Sequence, residues 1–120
     1  MDAPSSPGTP RSLAARDLHQ RLQAGAAIQI VDVREDRELD EARLPHAVLH
    51  LPLSRHLEWM PDLESRLDRQ QTVVVLCHAG IRSWDFGCWL IQEQGYGDVW
   101  NLKGGIDAWS REVDPQVPRY

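Results

Sequence analysis

The sequence has little of what marks several large protein classes. It has only two cysteines, Cys77 and Cys88, too few for a disulfide framework, and no paired Cys or His spacing typical of a structural zinc site. Its apolar runs are far shorter than a membrane span, and residues 1–4 lack the charged and apolar regions that begin a signal peptide. We therefore expect a cytoplasmic protein that does not enter a membrane.

Basic residues are also too few and too scattered for nucleic-acid binding. The chain has 13 Lys and Arg against 18 Asp and Glu, which gives a formal net charge of -5. Nucleic-acid-binding domains usually carry a basic patch, and none is visible here. At 120 residues the chain is near the commonest domain size, so it is long enough for one buried core and too short for two.

The chain divides into a short tail and one domain. Residues 1–10 contain three Pro, two Ser, one Thr and one Gly, a composition that cannot pack and predicts a disordered N-terminal tail. Residues 11–120 form the predicted domain. Its apolar periodicity predicts helices within residues 14–24, 34–43, 57–67, 83–94 and 106–111, the third interrupted near Pro61, and strands at 28–33, 47–51, 72–77 and 99–102. Such alternation indicates a mostly parallel sheet with helices on both faces.

Cys77 stands at the end of the most apolar strand, where parallel sheets bind their ligands. A short loop follows, and an amphipathic helix is predicted from Ser83. Inward-pointing backbone N–H groups, the helix start and the charge of Arg82 together favour a thiolate with an anion beside it. These features predict a nucleophile, whereas composition alone also allows an inert cysteine packed at a strand end.

Several ordered motifs lie between residues 13 and 109. They are Asp32-Val33-Arg34, Glu38, Leu44-Pro45-His46-Ala47, Leu51-Pro52, Cys77-His78-Ala79-Gly80-Ile81-Arg82-Ser83, Gly95-Tyr96, Asn101-Leu102-Lys103-Gly104-Gly105-Ile106 and Trp109. Together they resemble a single-domain rhodanese. The resemblance implies an α/β rhodanese-like fold, a five-stranded parallel sheet flanked by helices on both faces. It also implies a sulfurtransferase that works through a persulfide on Cys77.

The resemblance gives the loop residues their expected roles. Cys77 is the catalytic nucleophile, and the substrate is bound by the residues after it: His78, Ala79, Gly80, Ile81, Arg82 and Ser83. We expect Arg82 to hold an anionic donor, Gly80 to let the loop turn inward, and Ser83 to cap the following helix. His78 is either a hydrogen-bond donor at the rim or a solvated loop histidine. No cofactor and no metal are expected.

Three further residues are expected to support the site. Asp32 and Arg34 match the family's strand-end pair, and we expect them to form an ion pair with Glu38 or Glu35 that fixes a nearby loop. Trp84 follows the loop directly and is a candidate for shaping the mouth of the site.

Other residues have competing interpretations. Trp59 either lines the site or anchors local packing, and Trp109 is expected in the core. Cys88 lies in a predicted helix without an adjacent cation, which favours packing over a resolving thiol. His46 stands where the family usually has Gly, so a positive φ there would be unfavourable.

Two other functions stay open beside sulfurtransfer. Cysteine phosphatases, including the cell-cycle phosphatases related to rhodaneses, resemble this arrangement but place five residues between the nucleophile and the arginine. Only the four residues 78–81 separate Cys77 from Arg82 here. Rhodanese-like domains also serve as noncatalytic binding or regulatory modules, which usually lack the loop cysteine. For sulfurtransfer the implied partners are a small anionic donor such as thiosulfate and an acceptor that is a thiol or a sulfur-carrier protein. The latter is suggested because residues 111–120 are similar to tails of rhodanese domains fused to ubiquitin-activating-like adenylyltransferases.

Overall fold

The computed structural model describes residues 8–120, which form a five-stranded parallel sheet with helices on both faces. The strands are β1 (Arg11–Leu13), β2 (Ile28–Asp32), β3 (Leu49–His50), β4 (Thr72–Leu76) and β5 (Val99–Leu102). The helices are α1 (Ala15–Gln23), α2 (Asp36–Glu41), α3 (His56–Trp59), α4 (Leu63–Arg66), α5 (Ile81–Gln94) and α6 (Gly105–Glu112), with 3₁₀ turns at Leu53–Arg55 and Met60–Asp62. The predicted fold class is therefore confirmed.

Strand β4 is the centre of the sheet, whose strand order is β1-β5-β4-β2-β3. Its side chains alternate between two buried clusters, because successive residues of a strand point to opposite faces. Val74 and Leu76 pack with the cluster that includes Trp109 of α6, while Val73 and Val75 pack with the cluster around α5. The chain leaving β4 therefore emerges in the middle of the carboxyl edge of the sheet.

Most boundaries agree with the predicted ones to within about two residues, and three differences matter for the fold. Strand β1 was not predicted, because its three residues, two of them exposed, are too few to show an alternating pattern. Strand β3 has only two half-buried residues and lies at the sheet edge, so the predicted core strand over residues 47–51 is wrong in length and burial. Helix α5 begins at Ile81, two residues before the predicted start at Ser83. The interruption at Pro61 is confirmed by the break between α3 and α4.

The predicted N-terminal tail lies largely outside the described residues. Within its described part, the Gly8 carbonyl accepts a hydrogen bond from Gln92 at 2.9 Å. Pro10 is buried and lies over Gly87 of α5, where an added Cβ would come within 3.0 Å of the proline ring. Within residues 8–120, no helix has the length and apolar character needed to cross a membrane.

The chain after α6 returns toward the carboxyl edge of the sheet. Val117 is buried, and its carbonyl accepts a hydrogen bond from the Ser110 hydroxyl. Arg119 donates to the Asp107 carboxylate at 2.8 Å. These contacts place Tyr120, the last residue, beside the loop that follows β4.

Candidate active site

The Cys77 sulfur lies at the focus of hydrogen-bond donors from its own loop. The backbone N–H of Gly80 lies 3.1 Å from Sγ, the N–H of Ser83 lies 3.4 Å away, and Cys77 is 1% exposed. Gly80 adopts a φ of 100°, a left-handed conformation that favours glycine and folds the loop back over the sulfur. The side chains of Ala79 and Ile81 are exposed, so the loop presents backbone inward and side chains outward.

Ser83 contacts the sulfur and does not cap the helix. The N-cap of α5 is Gly80, without a side-chain cap, so the predicted capping role of Ser83 is wrong. Its hydroxyl is buried, 3.3 Å from Cys77 Sγ and 2.5 Å from Asn101 Oδ1. A hydroxyl has one hydrogen to donate. When Cys77 is a neutral thiol, Asn101 Oδ1 receives this hydrogen because it is the nearer acceptor. When the Cys77 sulfur is negative, the sulfur competes for the same hydrogen.

Asn101 of β5 ties the loop to the sheet. Its Nδ2 donates to the Gly80 carbonyl at 3.0 Å, which fixes the amide so that Oδ1 faces the Ser83 hydroxyl. Asn101 is 5% exposed, so both of its contacts lie in a low-dielectric environment where hydrogen bonds are strong. Sequence reasoning placed Asn101 within a family motif but gave it no role at the site.

The first turn of α6 supports the loop. The Cys77 carbonyl accepts from the N–H of Ile106 at 2.9 Å, and the His78 carbonyl accepts from the N–H of Asp107 at 3.1 Å. The two carbonyls pass so close to Gly105 that an added Cβ there would lie 2.4 Å from each oxygen. Gly105 has a φ of 62°, so both its conformation and its surroundings require glycine.

Arg82 lies at the loop, paired with Glu38 of α2. Its two terminal nitrogens donate to the two carboxylate oxygens at 2.6 and 2.8 Å, a bidentate arrangement. The backbone N–H of Glu35 donates to the same carboxylate at 3.1 Å. The Arg82 guanidinium lowers the pKa of Glu38 to about 2, and the Glu38 carboxylate raises the pKa of Arg82. A guanidinium has five N–H donors, so Arg82 retains donors for an anion.

Asp32 and Arg34 form a buried ion pair with each other. Arg34 Nε lies 3.0 Å from Asp32 Oδ1 and Nη2 lies 2.8 Å from Oδ2, with the Arg34 side chain 0% exposed. The predicted pairing with the carboxylates of Glu38 or Glu35 is wrong, because Asp32 takes the guanidinium. Two further Arg34 donors reach the backbone carbonyls of Glu38 and Ala42, which fixes helix α2 and with it the partner of Arg82.

Tyr120 is a part of the site that sequence reasoning did not find. Its ring stacks on the His78 imidazole with centroids 4.1 Å apart and planes 12° from parallel. Its hydroxyl lies 2.8 Å from Glu38 Oε2 and 3.0 Å from Arg34 Nη1. The similarity of residues 111–120 to other tails was the one signal pointing to this segment, and it did not indicate where the tail packs.

Two cavities meet at Arg82. One, of about 450 Å³, is mostly apolar and is lined by Trp59, Phe86 and Trp89 among others. The second, of about 510 Å³, is polar and is lined by Arg37, Glu38, Glu41, Arg82 and Tyr120. Trp59 is 4% exposed and donates its indole N–H to the Pro52 carbonyl, so it both anchors packing and lines the first cavity. Trp84 is half-buried and lines neither cavity.

The remaining candidate residues, Trp109, His46 and Cys88, are described by their packing environments. Trp109 is 1% exposed, as predicted for a core residue. His46 contacts the Trp109 ring edge-on at 5.6 Å, and no residue of the described chain other than glycine has a positive φ, so His46 is not strained. Cys88 is half-buried within α5, and burial raises the pKa of its thiol. Across residues 8–120, no group of three His, Cys, Asp or Glu side chains could hold a metal ion.

Fold and loop together define a parallel α/β domain that presents one cysteine to an amide-lined cradle. The sequence profile of the rhodanese-like domain matches residues 14–112. The chain therefore belongs to the rhodanese-like family.

Individual relatives agree with this membership. The chain is 38% identical over 103 residues to a protein of Allochromatium vinosum named sulfurtransferase, covering 86% of this chain and 91% of that one. It is 37% identical over 113 residues to the chloroplastic rhodanese-like/PpiC domain-containing protein 12 of Arabidopsis thaliana, covering 92% of this chain but 37% of the longer relative. Among solved structures, a rhodanese-related protein from Thermoplasma volcanium superposes with a TM-score of 0.65 at 26% identity, covering 86% of this chain and 93% of that one.

Proposed function

We propose that this protein is a sulfurtransferase that moves a sulfane sulfur from a small anionic donor such as thiosulfate to a thiol acceptor through a Cys77 persulfide. The observation that carries the proposal is the pair of backbone N–H groups, from Gly80 and Ser83, directed at Cys77 Sγ. Such donors stabilise negative charge on the sulfur and on an atom bonded to it. The name of the Allochromatium vinosum relative agrees with the same activity.

The reaction is a double displacement. The Cys77 thiolate, its proton having passed to solvent, attacks the outer sulfur of thiosulfate. A Cys77–sulfur bond forms, the sulfur–sulfur bond of the donor breaks, and sulfite leaves with the bonding electron pair. The negative charge of the resulting persulfide falls on its outer sulfur, within the loop whose N–H groups point inward. An acceptor thiolate then attacks that outer sulfur, becomes a persulfide itself and releases the Cys77 thiolate.

Arg82 supplies the positive charge that draws the donor to this loop. Its guanidinium carries Glu38 on one side and retains unpaired donors for the oxygens of an anionic donor. Because the Glu38 carboxylate neutralises part of that charge, we expect the site to attract small anions weakly. Formation of the Cys77 persulfide, and not tight binding of the donor, then retains the sulfur at the site. A thiol or a sulfur-carrier protein is the acceptor that the resemblance implies.

The phosphatase alternative requires a wider cradle. The Gly80 N–H lies 3.1 Å from Sγ, and the Gly80 carbonyl is held by Asn101, so the four-residue loop is closed tightly over the sulfur. A phosphoryl group needs donors around three oxygens beyond the sulfur. The tight loop therefore favours a single transferred sulfur atom. A noncatalytic binding module would not need the donors that surround Cys77.

The test is intact-protein mass spectrometry after incubation with thiosulfate. We expect wild type and Cys88→Ser to gain one sulfur atom that a small thiol removes, while Cys77→Ser gains none. Release of sulfite should match the sulfur gained. Absence of the adduct in wild type contradicts the proposal and leaves the binding-module alternative. Efficient hydrolysis of an aryl phosphate that is lost in Cys77→Ser would favour the phosphatase.

A further inference from the structure

The hydroxyl of Tyr120 joins two charged groups at the edge of the loop. It accepts a hydrogen bond from Arg34 Nη1 at 3.0 Å, so its own hydrogen is free to be donated to Glu38 Oε2 at 2.8 Å. Arg34 is itself fixed by its buried ion pair with Asp32. The hydroxyl is therefore held by the fixed Arg34 guanidinium, and it in turn holds one oxygen of the Glu38 carboxylate.

Glu38 in turn determines where Arg82 lies. The two Glu38 oxygens receive four donors: two from Arg82, one from the Glu35 backbone and one from Tyr120. The Tyr120 and Arg82 donors share Oε2, so the phenol fixes the oxygen that also receives a guanidinium nitrogen. Each donor offsets part of the negative charge of the Glu38 carboxylate. The part that the phenol offsets is lost when the Tyr120 hydroxyl is removed.

The ring of Tyr120 covers a second part of the same loop. It stacks on His78, the residue directly after Cys77, with centroids 4.1 Å apart. It also forms one wall of the polar cavity that contains Arg82 and Glu38. The ring therefore contacts the loop at His78, while the hydroxyl contacts the charged groups Arg34 and Glu38.

We propose that Tyr120 is a positioning residue of the sulfurtransfer site, which fixes the Glu38 carboxylate against Arg82 and thereby sets the charge that an anionic donor meets at Cys77. The inference rests on the proposed function for its substrate, although its electrostatic content does not require sulfur to be transferred. Burial, together with the hydrogen bond to Glu38, raises the pKa of Tyr120 to about 12. The phenol therefore stays protonated, and remains a donor to Glu38, throughout the neutral range.

The first test compares Tyr120→Phe with wild type in steady-state kinetics with thiosulfate. Loss of the hydroxyl leaves the stacked ring but exposes more of the Glu38 charge to the donor. We expect the thiosulfate KM to rise about fivefold, because the lost hydrogen bond to the charged Glu38 affects the donor only indirectly, through Arg82. We expect kcat to stay within about twofold of the wild-type value. A KM equal to that of wild type would overturn the inference.

Tyr96→Phe is the matched control. Tyr96 likewise donates its hydroxyl, to the Leu67 carbonyl at 2.7 Å, and this hydrogen bond is more buried than that of Tyr120. Its loss removes a tyrosine hydrogen bond just after the C-terminal end of α5, whereas the Cys77 loop lies at the start of that helix. We expect Tyr96→Phe to unfold at a lower temperature while keeping the wild-type KM. A rise in KM equal to that of Tyr120→Phe would mean that general destabilisation explains both variants, and the inference would fall.

The second test does not depend on sulfurtransfer. Iodoacetate and iodoacetamide alkylate a thiol by the same displacement and need the same access, so the ratio of their rates at Cys77 reports the charge that an anion meets there. Mass spectrometry of the Cys77 peptide separates this reaction from that of Cys88. We expect the iodoacetate-to-iodoacetamide ratio to fall about threefold in Tyr120→Phe and to stay at the wild-type value in Tyr96→Phe.

The two tests separate failure of the inference from failure of the proposed function. If wild type forms no persulfide with thiosulfate, the proposed function fails, and the alkylation ratio still decides the role of Tyr120. A ratio in Tyr120→Phe equal to that in wild type overturns the inference, whether or not thiosulfate is turned over. A lowered ratio in Tyr120→Phe alone supports it.

Discussion

Replacing Gly105 by alanine tests whether the first turn of α6 holds the cysteine loop in place. Gly105 and Gly25 both have a left-handed backbone, with φ values of 62° and 79°. Their surroundings differ. An added Cβ at Gly25 meets nothing within 4 Å, whereas at Gly105 it would lie 2.4 Å from the carbonyl oxygens of Cys77 and His78. Gly25→Ala is therefore a matched control that isolates the conformational cost.

The expected magnitudes follow from these two contributions. Placing alanine in the left-handed region costs about 1 kcal/mol, and this is the whole cost expected for Gly25→Ala. At Gly105 the two carbonyl oxygens must also retreat by about 1 Å to reach ordinary contact. Forcing atoms into a closely packed region costs about 1–3 kcal/mol more. We therefore expect Gly105→Ala to be less stable than Gly25→Ala by about 2 kcal/mol, or roughly 8 °C in Tm.

The same displacement should slow the chemistry. Cys77 and His78 belong to the loop that surrounds the sulfur, and a 1 Å misplacement at a reacting centre costs on the order of a hundredfold in rate. Urea and thermal unfolding measure the stability difference, and intact mass after thiosulfate measures persulfide formation. Gly25→Ala should form persulfide at the wild-type rate. Equal unfolding free energies for the two variants, with wild-type persulfide formation in Gly105→Ala, would refute the reasoning.

Two further variants probe the charged and the buried polar partners of the loop. Glu38→Gln should cost about 1–2 kcal/mol of unfolding free energy at pH 7, less than the full pKa shift implies because the Arg82 side chain is 38% exposed. Since the pKa of Glu38 is lowered from 4.5 to about 2, that difference from wild type should shrink as the pH of urea unfolding falls through this interval, and a constant difference would contradict the assignment. Asn101→Leu should lose about 1–3 kcal/mol in urea unfolding, because the half-buried Gly80 carbonyl loses its donor, and unchanged stability would show that Asn101 does not hold the loop.

The centre of the fold could be predicted because its signals are local. Four apolar residues in a row predict β4, and Cys77 follows them directly, so the position of the sulfur at the carboxyl edge follows from the sequence alone. The glycines that end helices and turn the loop are equally visible, and Gly95 ends α5 with a φ of 76° as its place in the sequence predicts. Family motifs then supplied the number of strands.

The charged surroundings of the loop could not be predicted, because they join distant parts of the chain. Arg82 finds its partner 44 residues earlier in α2, and Tyr120 reaches the same carboxylate from 82 residues away. Acidic residues are frequent in residues 35–41, and nothing in their spacing singles out Glu38 as the partner of Arg82. The incorrect pairing expected for Arg34 has a different origin, since Asp32, only two positions away along the chain, takes the guanidinium.

The site thus consists of two layers with different physical origins. Backbone amides and glycine conformations place donors on the Cys77 sulfur, and they depend on few side chains beyond Ser83 and Asn101. Around them, Arg82 and Tyr120 both donate to the Glu38 carboxylate, and on the proposed function these three groups set the net charge that an anionic donor meets. Because the inner layer is built from backbone, substitutions in the outer layer should change donor affinity while leaving the persulfide chemistry in place. Donor preference in this protein should therefore be tunable at Glu38 and Tyr120 without loss of the Cys77 cradle.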